Sequence, residues 1–165
     1  MLIRVAILLT LCSMLLISCS VSTNTNENQS LQYPTIVYIY IYRSDSIKPQ
    51  PELISVISEA KLLETVTKEI QNADPHATIP TAEKIDSIFY FQFSYETKGI
   101  TTRTEDYIYV SDMNGNYFIK SFKMMPQYDF DNYNTSEKEL LLRNIGFNDW
   151  KSLSSPLLKI TSPTQ

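Results

Sequence analysis

The clearest pattern in the chain lies in residues 35–42, where aliphatic and tyrosine side chains alternate without a break. Successive strand residues point to opposite faces, so Val37, Ile39 and Ile41 fall on one side and Tyr38, Tyr40 and Tyr42 on the other. The aliphatic side suits a core. The tyrosine side suits a surface packed at the ring and wet at the hydroxyl. Pro34 opens this strand, and after a turn containing Pro49, Pro51 stands where a first helical residue tolerates proline. Leu53, Val56, Ile57, Ala60, Leu63, Val66 and Ile70 recur at helical spacing, which predicts one amphipathic helix from Pro51 to Asn72. The β-branched residues among 54–57 weaken its first turns, and Ser58 is where it would break.

Asn72 to Thr81 reads as loop, and a three-strand meander follows. Ser87 to Glu96 sets Phe89, Phe91, Phe93 and Tyr95 on one face, and Lys98-Gly99 turns the chain. Glu105 to Ser111 alternates Ile108 and Val110 against Tyr107 and Tyr109. Asn114-Gly115 is a hairpin signal. Tyr117 to Met124 then carries Phe118 and Phe122 on one face, with Tyr117 and Ile119 on the other. Lys120 shares the phenylalanine face, which marks this strand as an edge where a lysine stem reaches water. Ser136 and Glu139 form a capping box for a short helix, Glu137 to Asn144, that stops at Gly146. Phe147, Trp150 and Leu153 continue the apolar material, and residues 154–165 read as a tail.

These elements predict an α+β domain over residues 34–153. Its expected architecture is a roughly four-stranded, mainly antiparallel sheet (strand, long helix, three-strand meander) with a short C-terminal helix. Val37, Ile39, Ile41, Ile108, Val110 and the phenylalanine row would meet the long helix. Tyr38, Tyr40, Tyr42, Tyr107 and Tyr109 would form the opposite face, with Tyr90 and Tyr117 as further members. Leu140, Leu141, Leu142, Phe147 and Trp150 offer the alternative, a third layer laid over that face.

The N-terminus follows a different pattern. Arg4 is the only charge before an apolar run, Val5 to Ile17, that is short for a membrane span and ends in Leu16-Ile17-Ser18-Cys19. This ending resembles the lipobox of bacterial lipoproteins, in which small residues fit the signal peptidase and the cysteine thiol takes up diacylglycerol. The resemblance implies a signal peptide over residues 1–18 and a lipidated N-terminal Cys19. At ~0.8 kcal/mol per buried CH₂, two or three acyl chains of the palmitate kind would hold the protein stably on a membrane. Residues 19–33 would then be the lipidated cysteine and a polar tether. Ser20 stands where an inner-membrane-retained lipoprotein of proteobacteria tends to carry aspartate. By that analogy the address is the periplasmic face of the outer membrane.

Composition narrows the chemistry. Cys12 and Cys19 are the only cysteines of 165 residues. Cys12 leaves with the signal and Cys19 goes to the lipid, so the domain would fold on its core without a disulfide. The net charge of −4 becomes one unit more negative when Arg4 leaves, which argues against nucleic acid and against an electrostatic grip on anionic lipid. His76, the only histidine, sits in a loop pattern, far short of the ligand set zinc needs. With only Gly99, Gly115 and Gly146, the chain has neither a nucleophile elbow nor a phosphate-cradling loop. No two carboxylates are placed by sequence at a glycosidase spacing. Asp112-x-Asn114-x-Asn116 imitates a calcium loop, but Tyr117 and Lys123 stand where glycine and glutamate belong. Asp129-x-Asp131 with Asn132 and Asn134 could hold a hard cation, though such a run also favours the start of a following helix.

The expectation is therefore a non-enzyme without cofactor or metal, whose partners are a membrane, through the lipid, and a protein. Tyr38, Tyr40, Tyr42, Tyr107 and Tyr109 are the candidate partner-binding residues, because tyrosine gives large contact area at small entropy cost. Residues 105–149 add eight acidic against four basic side chains around them. A periplasmic immunity or inhibitor protein fits this form. The alternative is a structural or accessory lipoprotein of an envelope assembly or secretion complex.

Overall fold

The computed structural model describes residues 33–44 and 46–161, with backbone only at His76, Ile160 and Thr161. Cys19, the signal segment and the tether over 20–32 lie outside the described residues. In chain order the elements are β1 (Ile36–Tyr42), β2 (Glu52–Ile57), α1 (Ala60–Gln71), β3 (Asp74–Ala77), β4 (Ile85–Thr97), β5 (Ile100–Asp112), β6 (Tyr117–Phe122), α2 (Thr135–Ile145), β7 (Trp150–Leu153) and α3 (Leu157–Thr161). All seven strands join one antiparallel sheet in the order β2-β1-β4-β5-β6-β7-β3. The protein is thus mostly sheet with three short helices, not a four-stranded sheet with one long helix.

Three segments account for the extra strands. Leu53 to Ile57 forms β2 on β1, and only Ala60–Gln71 is helical. Its apolar positions fit both periods, and pairing with β1 decides in favour of the strand the β-branched residues prefer. Residues 74–77, read as loop, form the far edge strand β3 against β7. Both are four residues long, too short to carry a period of their own. Because β7 lies on β6, β6 is an interior strand and not an edge. Lys120 is partly buried: its Nζ donates to the carbonyl oxygens of Ile145 (2.8 Å) and Gly146 (3.3 Å), closing the end of α2. Burial pushes its pKa down, with Asp149 opposing.

The faces follow from register, since residues directly opposite in antiparallel strands share a side. Val37, Ile39 and Ile41 lie beside Phe93, Phe91 and Phe89, as expected. The next strand is reversed. Phe91 faces Tyr107 and Phe89 faces Tyr109, so Ile108 and Val110 lie on the other side with Tyr90 and Ile88. The cause is one residue. Tyr95 pairs with Arg103 and Glu96 with Thr101, which leaves Thr102 as an extra residue in β5, its hydroxyl donating to the Tyr95 carbonyl at 3.0 Å. Without that bulge the two-residue turn at Lys98-Gly99 would set Ile108 opposite Phe89. A one-residue slip moves a strand's whole side-chain set to the opposite face. Lys98 and Gly99 both take positive φ (54° and 76°), the backbone a two-residue hairpin turn requires.

The sheet is packed on both sides, in three layers, though one face is covered only in part. Leu63, Val66 and Ile70 of α1 and Leu157 of α3 pack on the phenylalanine face. The stretch read as a tail therefore contributes a fully buried residue, Leu157. The other face takes Leu141 and Leu142 of α2, Tyr128, Tyr133 and Trp150. α2 starts two residues earlier than expected because Asn134 caps it: its Oδ1 accepts from the Ser136 and Glu137 amides, so Ser136 is not the cap.

Candidate partner-binding surface

The tyrosines singled out above do not form one surface. Tyr107 and Tyr109 belong to the phenylalanine face. Tyr109 is 1% exposed, set against Phe89 and Phe91 at 5.7 Å each and stacked on Tyr117 at 6.1 Å. Tyr107 is half-buried, edge-on to Phe93 at 5.2 Å, and its hydroxyl donates to Glu105 at 3.2 Å. Tyr42 is on the expected face but is buried under the chain between β6 and α2. Its hydroxyl donates to the Tyr128 carbonyl at 3.0 Å, and its ring meets Tyr133 at 5.2 Å and Phe130 at 6.2 Å. Burial holds the phenols of Tyr42, Tyr107 and Tyr109 well above their ordinary pKa. Tyr42 and Tyr109 are core, and Tyr107 packs half-buried against it.

Tyr38 and Tyr40 are different. Both are half-buried: Tyr40 packs against the edge of the buried cluster on this face, and Tyr38 lies beyond it. Tyr40 stacks on Tyr90 at 5.0 Å. A short polar chain fixes that stack: Gln92 donates to the Tyr90 hydroxyl (2.9 Å), which donates to Asp106 Oδ1 (2.9 Å), while Asp106 Oδ2 accepts the Met124 amide (3.2 Å). Each of these polar groups has a partner, so the floor is rigid and costs no unpaired charge.

The rest of the surface comes from a segment expected to be helix. In β2, Val56 lies beside Tyr38 and Leu53 beside Tyr40, on the same face. They are 51% and 49% exposed, and Ile54 next to them is 39% exposed. Four aromatic and aliphatic side chains, Tyr38, Tyr40, Leu53 and Val56, thus lie together on the open half of the sheet. At one end Glu52 is bridged by Arg43 (3.4 Å) and Lys48 (3.3 Å), an exposed rim that adds little stability. In sequence, Leu53-Ile54-Ser55-Val56-Ile57 carries three β-branched residues in five, the one signal that pointed away from helix.

The oxygen-rich candidate at Asp112 has local employment. Asp112 accepts from the Asn114 amide (2.9 Å), the Asn116 amide (2.8 Å) and Asn116 Nδ2 (2.9 Å). Those bonds, the Asn116 side chain's first, hold its pKa below the usual carboxylate value. The carboxylate builds the β5–β6 turn. Among the described residues no three His, Cys, Asp or Glu side chains gather as a metal site would need. No helix among them is long and apolar enough to cross a membrane. The chain matches no protein family, no curated protein and no solved structure.

Proposed function

We propose that the chain is a lipid-anchored envelope protein, held through Cys19, that binds another protein without catalysis through Tyr38, Tyr40, Leu53 and Val56. One observation carries the docking surface: half of one sheet face is roofed by a third layer, and the open half is aromatic and aliphatic. Water-exposed apolar side chains grouped on a rigid floor cost solvation energy that a partner recovers on binding, and tyrosine is among the residues where binding energy concentrates. The partner's chemistry follows from charge. With a net charge of −4 and Asp106 on the same face, two strands from Tyr38, the surface suits an apolar anchor that carries basic side chains. An immunity or inhibitor protein works in this way, by occupying a surface rather than by reacting with it. The anchor rests on the Leu16-Ile17-Ser18-Cys19 resemblance alone.

Both halves can be read in one experiment. A photo-crosslinking phenylalanine derivative replaces Tyr38 in the full chain, in its own cells, with the same probe at Thr65 of α1, half-buried like Tyr38, as control. The expected result is one discrete protein adduct from position 38, none from position 65, and the chain in the membrane fraction labelled by an alkyne fatty acid. Cys19→Ser should lose that label. Equal adducts from both positions, or none from position 38, would dismiss the surface. Label retained in Cys19→Ser would dismiss the anchor.

A further inference from the structure

We infer that the open edge of β2 pairs with β2 of a second copy of this chain, antiparallel, about a two-fold axis between Ile54 and Ser55. This goes beyond the partner reading and stands without it, because it concerns the strand edge and not the face.

The sheet ends in β2 on one side and β3 on the other, and the two edges are unlike. β3 is four residues, Asp74-Pro75-His76-Ala77, with a charge and a proline that block further pairing. β2 has no charge and no proline from Leu53 to Ile57, and its Leu53, Ile54 and Val56 side chains are open to water. An edge of that kind presents free backbone donors and acceptors to any strand that fits.

A copy of itself fits for a specific reason. The β1–β2 register shifts between Ile39 and Tyr40: Ile39 pairs with Ser55 and Tyr40 with Leu53, leaving Ile54 as an extra residue. The bulge makes the face order of β2 palindromic. Glu52 and Ile57 share the face of Ile41 and Val37, while Leu53 and Val56 share the face of Tyr40 and Tyr38. Turned about Ile54–Ser55, Leu53 meets the second copy's Val56, Val56 meets its Leu53, and Glu52 meets its Ile57. Each of these opposed pairs stays on one face, as antiparallel pairing demands, and no like charges meet. The interface is isologous, the commonest arrangement in homo-oligomers.

The chain ahead of the domain permits it. Residues 20–32 can span at most about 45 Å when extended. An axis normal to the sheet places the two Tyr33 positions equivalently, so two lipidated Cys19 residues can reach one membrane. Shared anchoring also raises the local concentration that a short strand pairing needs. The paired sheets would join two sets of Tyr38, Tyr40, Leu53 and Val56 into one floor.

The register makes the test sharp. Leu53 and Val56 should lie within disulfide reach across the axis, whereas each residue is offset from its own copy. The full chain carries Leu53→Cys, Val56→Cys or both, in membranes oxidised with copper phenanthroline, with the wild-type chain as blank for Cys12 and Cys19. A disulfide dimer from the double variant, with little from either single variant, is expected. A monomeric double variant, equal crosslinking by the singles, or a crosslink to a different protein would overturn the pairing. Light scattering of the detergent-extracted chain gives a second reading that needs no cysteine. The wild type should be dimeric, and Ser55→Lys, which sets two lysines beside the axis, should lower the dimer fraction roughly tenfold or more. A monomeric wild type, or a Ser55→Lys chain as dimeric as wild type, would equally overturn it.

Discussion

An Ile39→Asp chain should show no cooperative thermal transition, while Tyr38→Asp, one residue earlier in the same strand, should melt within a few degrees of wild type. Ile39 has no exposed surface and sits between Phe91 on β4 and Ser55 on β2, beneath α1. A carboxylate there has neither water nor a cation. It must either remain charged in an apolar layer or take up a proton, and either costs ~4 kcal/mol or more. Against a total stability of roughly 5–15 kcal/mol, that leaves little folded protein. Tyr38 is half-buried on the open half of the other face, and a carboxylate there keeps its water. Circular dichroism melts of both variants decide the matter. Equal and severe losses would mean that the open half is also roofed.

The second large effect is expected at Trp150, because one ring holds three elements together. It is fully buried, its Nε1 donates to the Gly146 carbonyl at 3.0 Å, and Lys120 lies over it at 6.0 Å while closing α2. Trp150→Ala empties a large volume where β7, the end of α2 and β6 meet, which typically costs about 3–5 kcal/mol. Trp150→Phe keeps much of the ring and leaves one carbonyl lone pair unmet, a loss nearer ~1–3 kcal/mol. Urea unfolding measures both. If Trp150→Ala costs less than ~1 kcal/mol, the third layer is not fixed by this residue.

What was legible in the sequence was whatever a local rule decides. The alternation in β1, the Lys98-Gly99 and Asn114-Gly115 turns and the stop at Gly146 all stand where the residues placed them. What was not legible depends on pairing across the chain. Alternation says which residues of a strand travel together, not which of two buried faces they join. For β5 that choice was made by the single bulged residue Thr102. The same ambiguity hid β2, whose apolar positions fit a helix until β1 is beside them. Two such slips dispersed the candidate site. They sent Tyr107 and Tyr109 to the other face, while Leu53 and Val56, assigned to a helix, lie beside Tyr38 and Tyr40. Asn134 displaced Ser136 as cap because both residue types cap well and only the helix start tells them apart.

The division of one sheet face into a roofed half and an open half underlies the docking surface proposed above. Hydroxyl-radical footprinting with residue-resolved mass spectrometry tests it in a single exposure series on the Ser55→Lys chain, in which strand pairing does not cover Leu53 and Val56. Tyr38, Leu53 and Val56 should be oxidised readily, while Tyr42, Tyr109, Tyr133 and Trp150, each at most 4% exposed, should resist. Oxidation of Tyr42 and Trp150 as fast as Tyr38, or protection of Leu53 and Val56 as deep as that of Tyr109 in the monomer, would contradict it.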